Sequence, residues 1–280
     1  MISYIGGKSK ISSWIIPFIP KDIETYVEPF GGMFWVFFKM DLKNYPNLNS
    51  TVYNDFNPLN ANLFNCTKRY DELHASMLSY PTQKMGEDID PVDYVNCFNE
   101  CQKEVFNPEF VSPINGNFDV ACKYLYTLTH IFSGGKPATS KFIYYHGKYR
   151  DKFLVFMDKL KKKEWREHFD KITQVENLDA CDVISKYDHD KAFFYIDPPY
   201  YSTEGYYSNH DFGLKDHERL ANCMKQMKGR FALSYYEFPE LSEWFPKDQY
   251  RWETKEFPKS AAARKDTAQN KGVELLIMNY

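Results

Sequence analysis

Several scarcities in this sequence narrow its class before any motif is considered. It has almost no excess of charge: 35 Lys and Arg against 38 Asp and Glu leave a net −3. No global field therefore drives it onto nucleic acid, and a nucleic-acid partner requires a local basic face. It has no run approaching the ~20 apolar residues of a membrane span. Its opening MISYIGGKSK lacks the apolar core of a secretory signal. The six cysteines (Cys66, Cys97, Cys101, Cys122, Cys181 and Cys223) form no Cys-x-x-Cys, and no paired histidines accompany them. That pattern excludes the usual zinc spacings and suits small, half-buried thiols in a reducing cytoplasm. Repeats and low-complexity tracts are absent, and no Gly-x-Gly-x-x-Gly follows a strand-like segment, so a dinucleotide pyrophosphate fits poorly. Neither a membrane nor a metal is expected.

Apolar and aromatic residues, by contrast, are plentiful. Hydrophobic residues make up 43% of the 280, enough for a substantial core and against disorder. Aromatics reach 18%, with 22 Tyr and 23 Phe, so some rings can serve as stacking surface. Residues 26–30 (YVEPF) read as a short buried strand and 33–40 (MFWVFFKM) as the start of a helix. Residues 51–55 (TVYND) read as a second strand, and 57–70 as a helix on Leu59, Leu63 and Phe64. Helical spacing continues through 90–130, broken by a Pro- and Asn-rich loop at 107–117. LVFMDKLKKKEWREHF reads as an amphipathic helix with a cationic face. After about residue 172 the α/β pattern returns, with FFYIDPPY, a helix over 215–228 with Asp216 near its N-cap, and strands RFALSYY and VELLIMNY. The chain thus predicts an α/β sheet built from both ends around an inserted segment.

Ligands of such sheets sit at the carboxyl ends of strands, and three carboxylates fall there. The first strand ends Glu28-Pro29-Phe30-Gly31-Gly32, where Gly-Gly either forms a tight turn or lets a ligand approach the backbone. The second ends at Asp55, placed either to chelate ribose hydroxyls or to cap a helix. The third strand ends in Asp197-Pro198-Pro199-Tyr200, where prolines stop the ladder and stiffen a corner holding a carboxylate and flat rings. A ligand with a ribose, a flat base and no phosphate suits this set, and S-adenosyl-L-methionine fits that description.

On these residues the sequence resembles the Dam-like (D12 class) DNA adenine-N6 methyltransferases. YIGGKSK at 4–10 is similar to their N-terminal cofactor segment, YVEPFGG to their cofactor loop, here one residue short of the usual Phe-x-Gly-Gly-Gly, and DPPY at 197–200 to their catalytic motif. The resemblance covers 1–65 and 172–280. It implies a Rossmann-like S-adenosylmethionine-dependent methyltransferase sheet over those segments, with 66–171 as an inserted, mainly helical target-recognition region. It implies that Tyr4 and Lys8 lie against the cofactor, Lys8 near its carboxylate. Glu28, Pro29, Phe30, Gly31 and Gly32 would wrap its methionine part, Asp55 would take the ribose, and Asp179 would lie near the adenine edge. Asp197, Pro198, Pro199 and Tyr200 would receive a flipped-out adenine. The implied partner is double-stranded DNA, and the implied setting is the cytoplasm of a bacterial or phage-infected cell, with the protein acting as a monomer.

The DNA face must be local. Lys136, Lys141, Lys148 and Arg150, interleaved with Tyr144 and other aromatics, are its candidates. Methylation of cytosine N4 or of RNA is an alternative reading, since a proline corner can hold any exocyclic amine; so is a non-catalytic DNA-binding module.

Overall fold

The computed structural model describes residues 7–87, 90–131, 135–143, 150–201, 212–258 and 271–280. In chain order the strands among them are β1 (Thr25–Glu28), β2 (Ser50–Asn54), β3 (Gln174–Glu176), β4 (Ala192–Ile196), β5 (Arg230–Tyr235), β6 (Arg251–Pro258) and β7 (Lys271–Met278). The α-helices are α1 (Ser12–Ile15), α2 (Pro58–Thr67), α3 (Tyr70–Met77), α4 (Val92–Val105), α5 (Phe118–Thr129), α6 (Lys152–Lys161), α7 (Lys163–Lys171), α8 (Ala180–Tyr187), α9 (Leu214–Met224) and α10 (Leu241–Trp244). The fold is mixed α/β, in two compact units. One includes Gly31–Phe38 and Ser50–Leu178, the other Lys8–Phe30, Lys39–Asn49 and Asp179–Tyr280.

The second of these units is built on strands in the order β1-β4-β5-β7-β6. β1, β4 and β5 run parallel, with Val27 opposite Phe194 and Phe194 opposite Phe231. All five residues of β4, AFFYI, are buried, as expected of a parallel strand covered on both faces. The parallel arrangement brings the carboxyl ends of β1 and β4 side by side, so Glu28 and Asp197 close neighbouring strands. β7 then runs antiparallel to β5, and β6 antiparallel to β7. The sequence pattern does not announce β6, because Arg251, Glu253, Lys255 and Glu256 mask its alternation. Those charges suit a strand at the end of a ladder, where they discourage pairing with another chain. α9 buries Leu220, Ala221 and Met224. Its N-cap is Gly213 rather than the expected Asp216, which instead reaches back from the first turn to accept the Gly213 N–H at 3.0 Å.

The first unit pairs β2 with β3 in parallel, Tyr53 opposite Val175. The expected helix at 33–40 does not form: the segment is a run of turns ending in a 3-10 turn at Phe37–Lys39. The physical reason lies in the side chains, which are nearly all large and apolar. Phe34 takes a left-handed backbone (φ 54°) and sets its ring against Phe37 at 4.7 Å and Tyr53 at 5.2 Å. Packing on several sides overrides helix propensity here. α2 starts at Pro58, with Asn57 capping it by accepting the Leu59 N–H at 3.0 Å. All described elements between 67 and 171 are helices. The single amphipathic helix expected from LVFMDKLKKKEWREHF is divided into α6 and α7 by Lys162, whose backbone is extended. The Lys159 ammonium does not face open solvent. It lies 4.5 Å from the Trp165 ring centre.

Candidate active site

Two clusters hold the residues singled out from the sequence, one in each unit. In the first unit Gly31 and Gly32 are tied to the end of β2. Gly31 N–H donates to the Asn54 carbonyl at 2.7 Å, and Gly32 N–H donates to Asp55 Oδ2 at 2.8 Å. The Tyr53 hydroxyl donates to the Gly32 carbonyl at 2.8 Å. A Cβ on Gly31 would stand 2.4 Å from the Tyr53 ring and 2.9 Å from the Asn54 oxygen. The space left by the absent side chain is taken by Tyr53, so packing against β2 requires glycine at this position. Gly32 has φ 48°, a conformation glycine adopts without steric cost.

Asp55 is half-buried, and its carboxylate accepts three hydrogen bonds. Besides Gly32 these come from the Asn57 N–H at 2.8 Å and Asn60 Nδ2 at 3.1 Å. Asn60 in turn accepts from the Tyr124 hydroxyl on α5 at 2.8 Å. Burial raises the Asp55 pKa, and these donors pull it back. The helix-cap reading of Asp55 does not hold, since Asn57 is the cap. Asp55 instead locks the Gly31–Gly32 loop to the strand end.

In the second unit the DPPY motif meets Lys8. The Lys8 ammonium lies 2.7 Å from Asp197 Oδ1 and 3.7 Å from Glu274 Oε1. It also lies 4.7 Å from the Tyr200 ring centre. The Tyr200 hydroxyl donates to Glu274 Oε1. The Tyr200 ring is only 8% exposed. It stacks on Tyr235 at 5.4 Å and meets Tyr236 edge-on at 4.4 Å. Pro198 and Pro199 are buried. Burial raises the Asp197 pKa, and the Lys8 charge opposes the rise. Glu274 is raised by burial too, lowered by Lys8 and raised again by Asp197. Glu274 is the acid that the sequence reading missed. Its signal was a lone carboxylate inside the apolar run VELLIM, which only a buried partner explains.

Other expected residues are placed differently. Glu28 is buried and accepts the Tyr26 hydroxyl at 2.7 Å. Pro29 is buried beside it, and half-buried Phe30 meets Phe212 edge-on at 5.8 Å. Asp179 caps α8 by accepting the Cys181 N–H at 2.9 Å. It also takes both guanidinium arms of Arg219, at 2.8 and 2.7 Å, and this pairing lowers its pKa. Most of its acceptor capacity is thus spent within the protein. Lys136 and Lys141 are exposed, whereas Arg150 is ion-paired with Asp158. Phe142 stacks on His130 at 5.5 Å and so belongs to the packing. Tyr4, Tyr144 and Lys148 lie outside the described residues. Among the described residues no cluster of His, Cys, Asp or Glu could hold a metal, and no helix is long and apolar enough to cross a membrane.

Residues 4–257 match the family model described as D12 class N6 adenine-specific DNA methyltransferase. The chain belongs to this family. The match spans the glycine loop, Asp55, Lys8 and the DPPY motif, and stops short of Glu274. Among curated proteins, the chain is 25% identical over 251 residues to Modification methylase StsI of Streptococcus sanguinis, covering 83% of this chain and 34% of that protein. It is 24% identical over 240 residues to Type II methyltransferase M.FokI of Planomicrobium okeanokoites, covering 78% and 31%. It is also 24% identical over 236 residues to Type II methyltransferase M.CviBI of Paramecium bursaria Chlorella virus NC1A, covering 83% and 81%. The chain thus spans about a third of the first two relatives and most of the third.

Proposed function

We propose that this chain transfers a methyl group from S-adenosyl-L-methionine to the N6 amine of an adenine flipped out of double-stranded DNA. The observation that carries the reading is Asp197 at the end of β4, followed by two buried prolines and flanked by Lys8 and Glu274 in a cluster with one more negative than positive side chain. The cofactor's chemistry fits both clusters. Gly32, Asn57 and Asn60, which donate to Asp55, are neutral groups, so its charge remains available to ribose hydroxyls. The Lys8, Asp197 and Glu274 cluster suits a cationic donor and a cationic product nitrogen.

In this reading the Gly31–Gly32 loop and Asp55 would hold the cofactor, which when bound supplies an electrophilic methyl on a sulfonium. The exocyclic amine of adenine is a weak nucleophile, because its lone pair is delocalised into the ring. The Asp197 carboxylate and the Pro198 carbonyl each accept one N6 hydrogen, so the nitrogen lone pair is aimed and its developing positive charge is favoured. The two prolines fix that carbonyl, which makes the contribution one of preorganisation and proximity. Asp197 must be ionised to act, so turnover falls as pH drops through its raised pKa. The base reaches this corner only after leaving the duplex stack, which costs a few kcal/mol. Exposed Lys136 and Lys141, together with the tract containing Tyr144, Lys148 and Arg150, are assigned to the DNA backbone. Residues 66–171 act as the recognition insertion and the remainder as the catalytic domain. The compartment is the DNA-containing cytoplasm.

Mass spectrometry of nucleosides from DNA incubated with the protein and S-adenosylmethionine tests the reading. N6-methyladenine is the expected product. N4-methylcytosine would move the assignment to the alternative amine, and no methylated base would refute it.

A further inference from the structure

Glu274 lies outside the family-matched residues yet is joined directly to the DPPY motif. It is 1% exposed. The residues that follow it on β7, Leu275, Leu276, Ile277 and Met278, are all buried and apolar, so strand packing alone does not call for an acid there. A buried carboxylate is expensive to keep unless it is paired. This one holds the Tyr200 hydroxyl and shares the Lys8 ammonium with Asp197, at 3.7 and 2.7 Å respectively.

We propose that Glu274 is a positioning residue for methyl transfer: it fixes Tyr200 through the hydroxyl and draws part of the Lys8 charge away from Asp197. The inference rests on the methyltransferase reading above. Without Glu274 the single ammonium would belong wholly to Asp197 and would quench the oxygen acceptor that the target amine needs. With it, two carboxylates share one cation, and the cluster keeps a negative charge where the amine becomes positive. The titratable and polar groups facing Glu274 are Lys8 from the N-terminal segment, Asp197 and Tyr200 after β4, Tyr195 within β4, and Ser234 and Tyr236 on and after β5.

Two substitutions in the full chain separate the two roles. Glu274→Gln keeps an oxygen for the Tyr200 hydroxyl but removes the charge. The acid limb of its kcat profile is expected to move down by about half a pH unit or more, with KM for cofactor and DNA within about twofold of wild type. Glu274→Asp keeps the charge but falls one methylene short of Tyr200. Its acid limb is expected to stay in place while kcat drops about tenfold, comparable to one lost charge-assisted hydrogen bond. Melting of the cofactor-free protein gives a readout independent of activity. Burial holds the Glu274 pKa above its unfolded value, so the folded state binds that proton more tightly. Stability from this group therefore falls as pH rises from the unfolded pKa through the folded one. Glu274→Gln removes that loss, so its Tm relative to wild type should climb as pH rises above the ordinary carboxylate range.

Wild-type limbs and turnover in both variants, with a Tm difference that is flat in pH, would overturn the inference. If the Gln variant fails to fold by circular dichroism, the Asp variant decides: full turnover overturns the inference, and a tenfold kcat loss at unchanged KM and limb supports it. Asp197→Ala run alongside separates the levels. An inactive Asp197→Ala with wild-type-like Glu274 variants overturns only the positioning role. A wild-type chain that makes no methylated adenine, or a fully active Asp197→Ala, removes the underlying reading and the inference with it.

Discussion

Replacing Asp197 by alanine perturbs chemistry and packing together, and the cluster geometry allows the two to be weighed. In the proposed reaction it removes one of two acceptors for the N6 hydrogens. Losing one preorganised group of this kind costs about 2.7 kcal/mol or more, so turnover should drop ~100-fold or further. On the structural side it takes the 2.7 Å partner from a Lys8 side chain that is 10% exposed. Stranding one charge of a buried pair usually costs about 3–5 kcal/mol. Here Glu274 remains 3.7 Å from the ammonium; at an effective dielectric of ~20 an opposite charge at that distance is worth roughly 4.5 kcal/mol. The stranded charge is thus largely compensated, and the expected loss is about 1–3 kcal/mol, read as a drop of several degrees in Tm. Asp197→Asn keeps one acceptor oxygen and the side-chain volume, and should fold more stably than the alanine variant while remaining slow. Single-turnover methyl transfer, thermal melting and circular dichroism are measured on both. A duplex carrying 2-aminopurine at the target position should still brighten on binding either variant, because in the proposed mechanism flipping does not need the carboxylate. A folded Asp197→Ala protein that methylates adenine at near wild-type rate would refute the argument.

Further outcomes follow from the other contacts. Asp55→Ala releases three hydrogen bonds and should weaken S-adenosylmethionine binding by ~1–3 kcal/mol in calorimetry, whereas Tyr200→Phe should leave that affinity within about twofold. Gly31→Ala forces a methyl to 2.4 Å from the Tyr53 ring and should lower stability by about 1–3 kcal/mol in chemical denaturation; unchanged stability would show that the loop can move away from β2. Neutralising exposed Lys141 should weaken binding to all duplexes alike and reduce the salt slope by about one. Neutralising Arg150 should change the slope less, because its guanidinium is already paired with Asp158; fluorescence titrations that rank the two the other way would reassign the DNA face.

What was legible in the sequence was what depends on chain-local chemistry. AFFYIDPPY showed a strand buried on both faces and stopped by prolines, and TVYND showed a strand closed by a carboxylate. The misreadings arose where tertiary contacts decide. MFWVFFKM has helical composition, but its rings pack on several sides and the chain turns. KKKEWREHF continues a helical pattern that breaks at Lys162. β6 hides behind charges that serve the end of a ladder. The pairing of Lys8 with Asp197 gives no local signal either, since the two are far apart in sequence. Glu274 escaped notice because its partners, Lys8 and Tyr200, are 266 and 74 residues distant in sequence, and a single acid in a strand gives no periodic signal.

His130 and Asp151 approach within 3.6 Å, both buried. Asp151 also caps α6 by accepting the Phe153 N–H at 2.7 Å, and the Ile143 N–H donates to the His130 carbonyl at 2.8 Å. Residues 135–143, between the two, are held by their own groups as well: Gln102 Nε2 donates to the Pro137 and Ser140 carbonyls at 2.7 and 2.8 Å. Phe142 ties α4, through Phe98, to the end of α5, through His130; a change of sequence here has to keep that ring for the two helices to keep their packing, whereas exposed Lys136 and Lys141 carry no such demand.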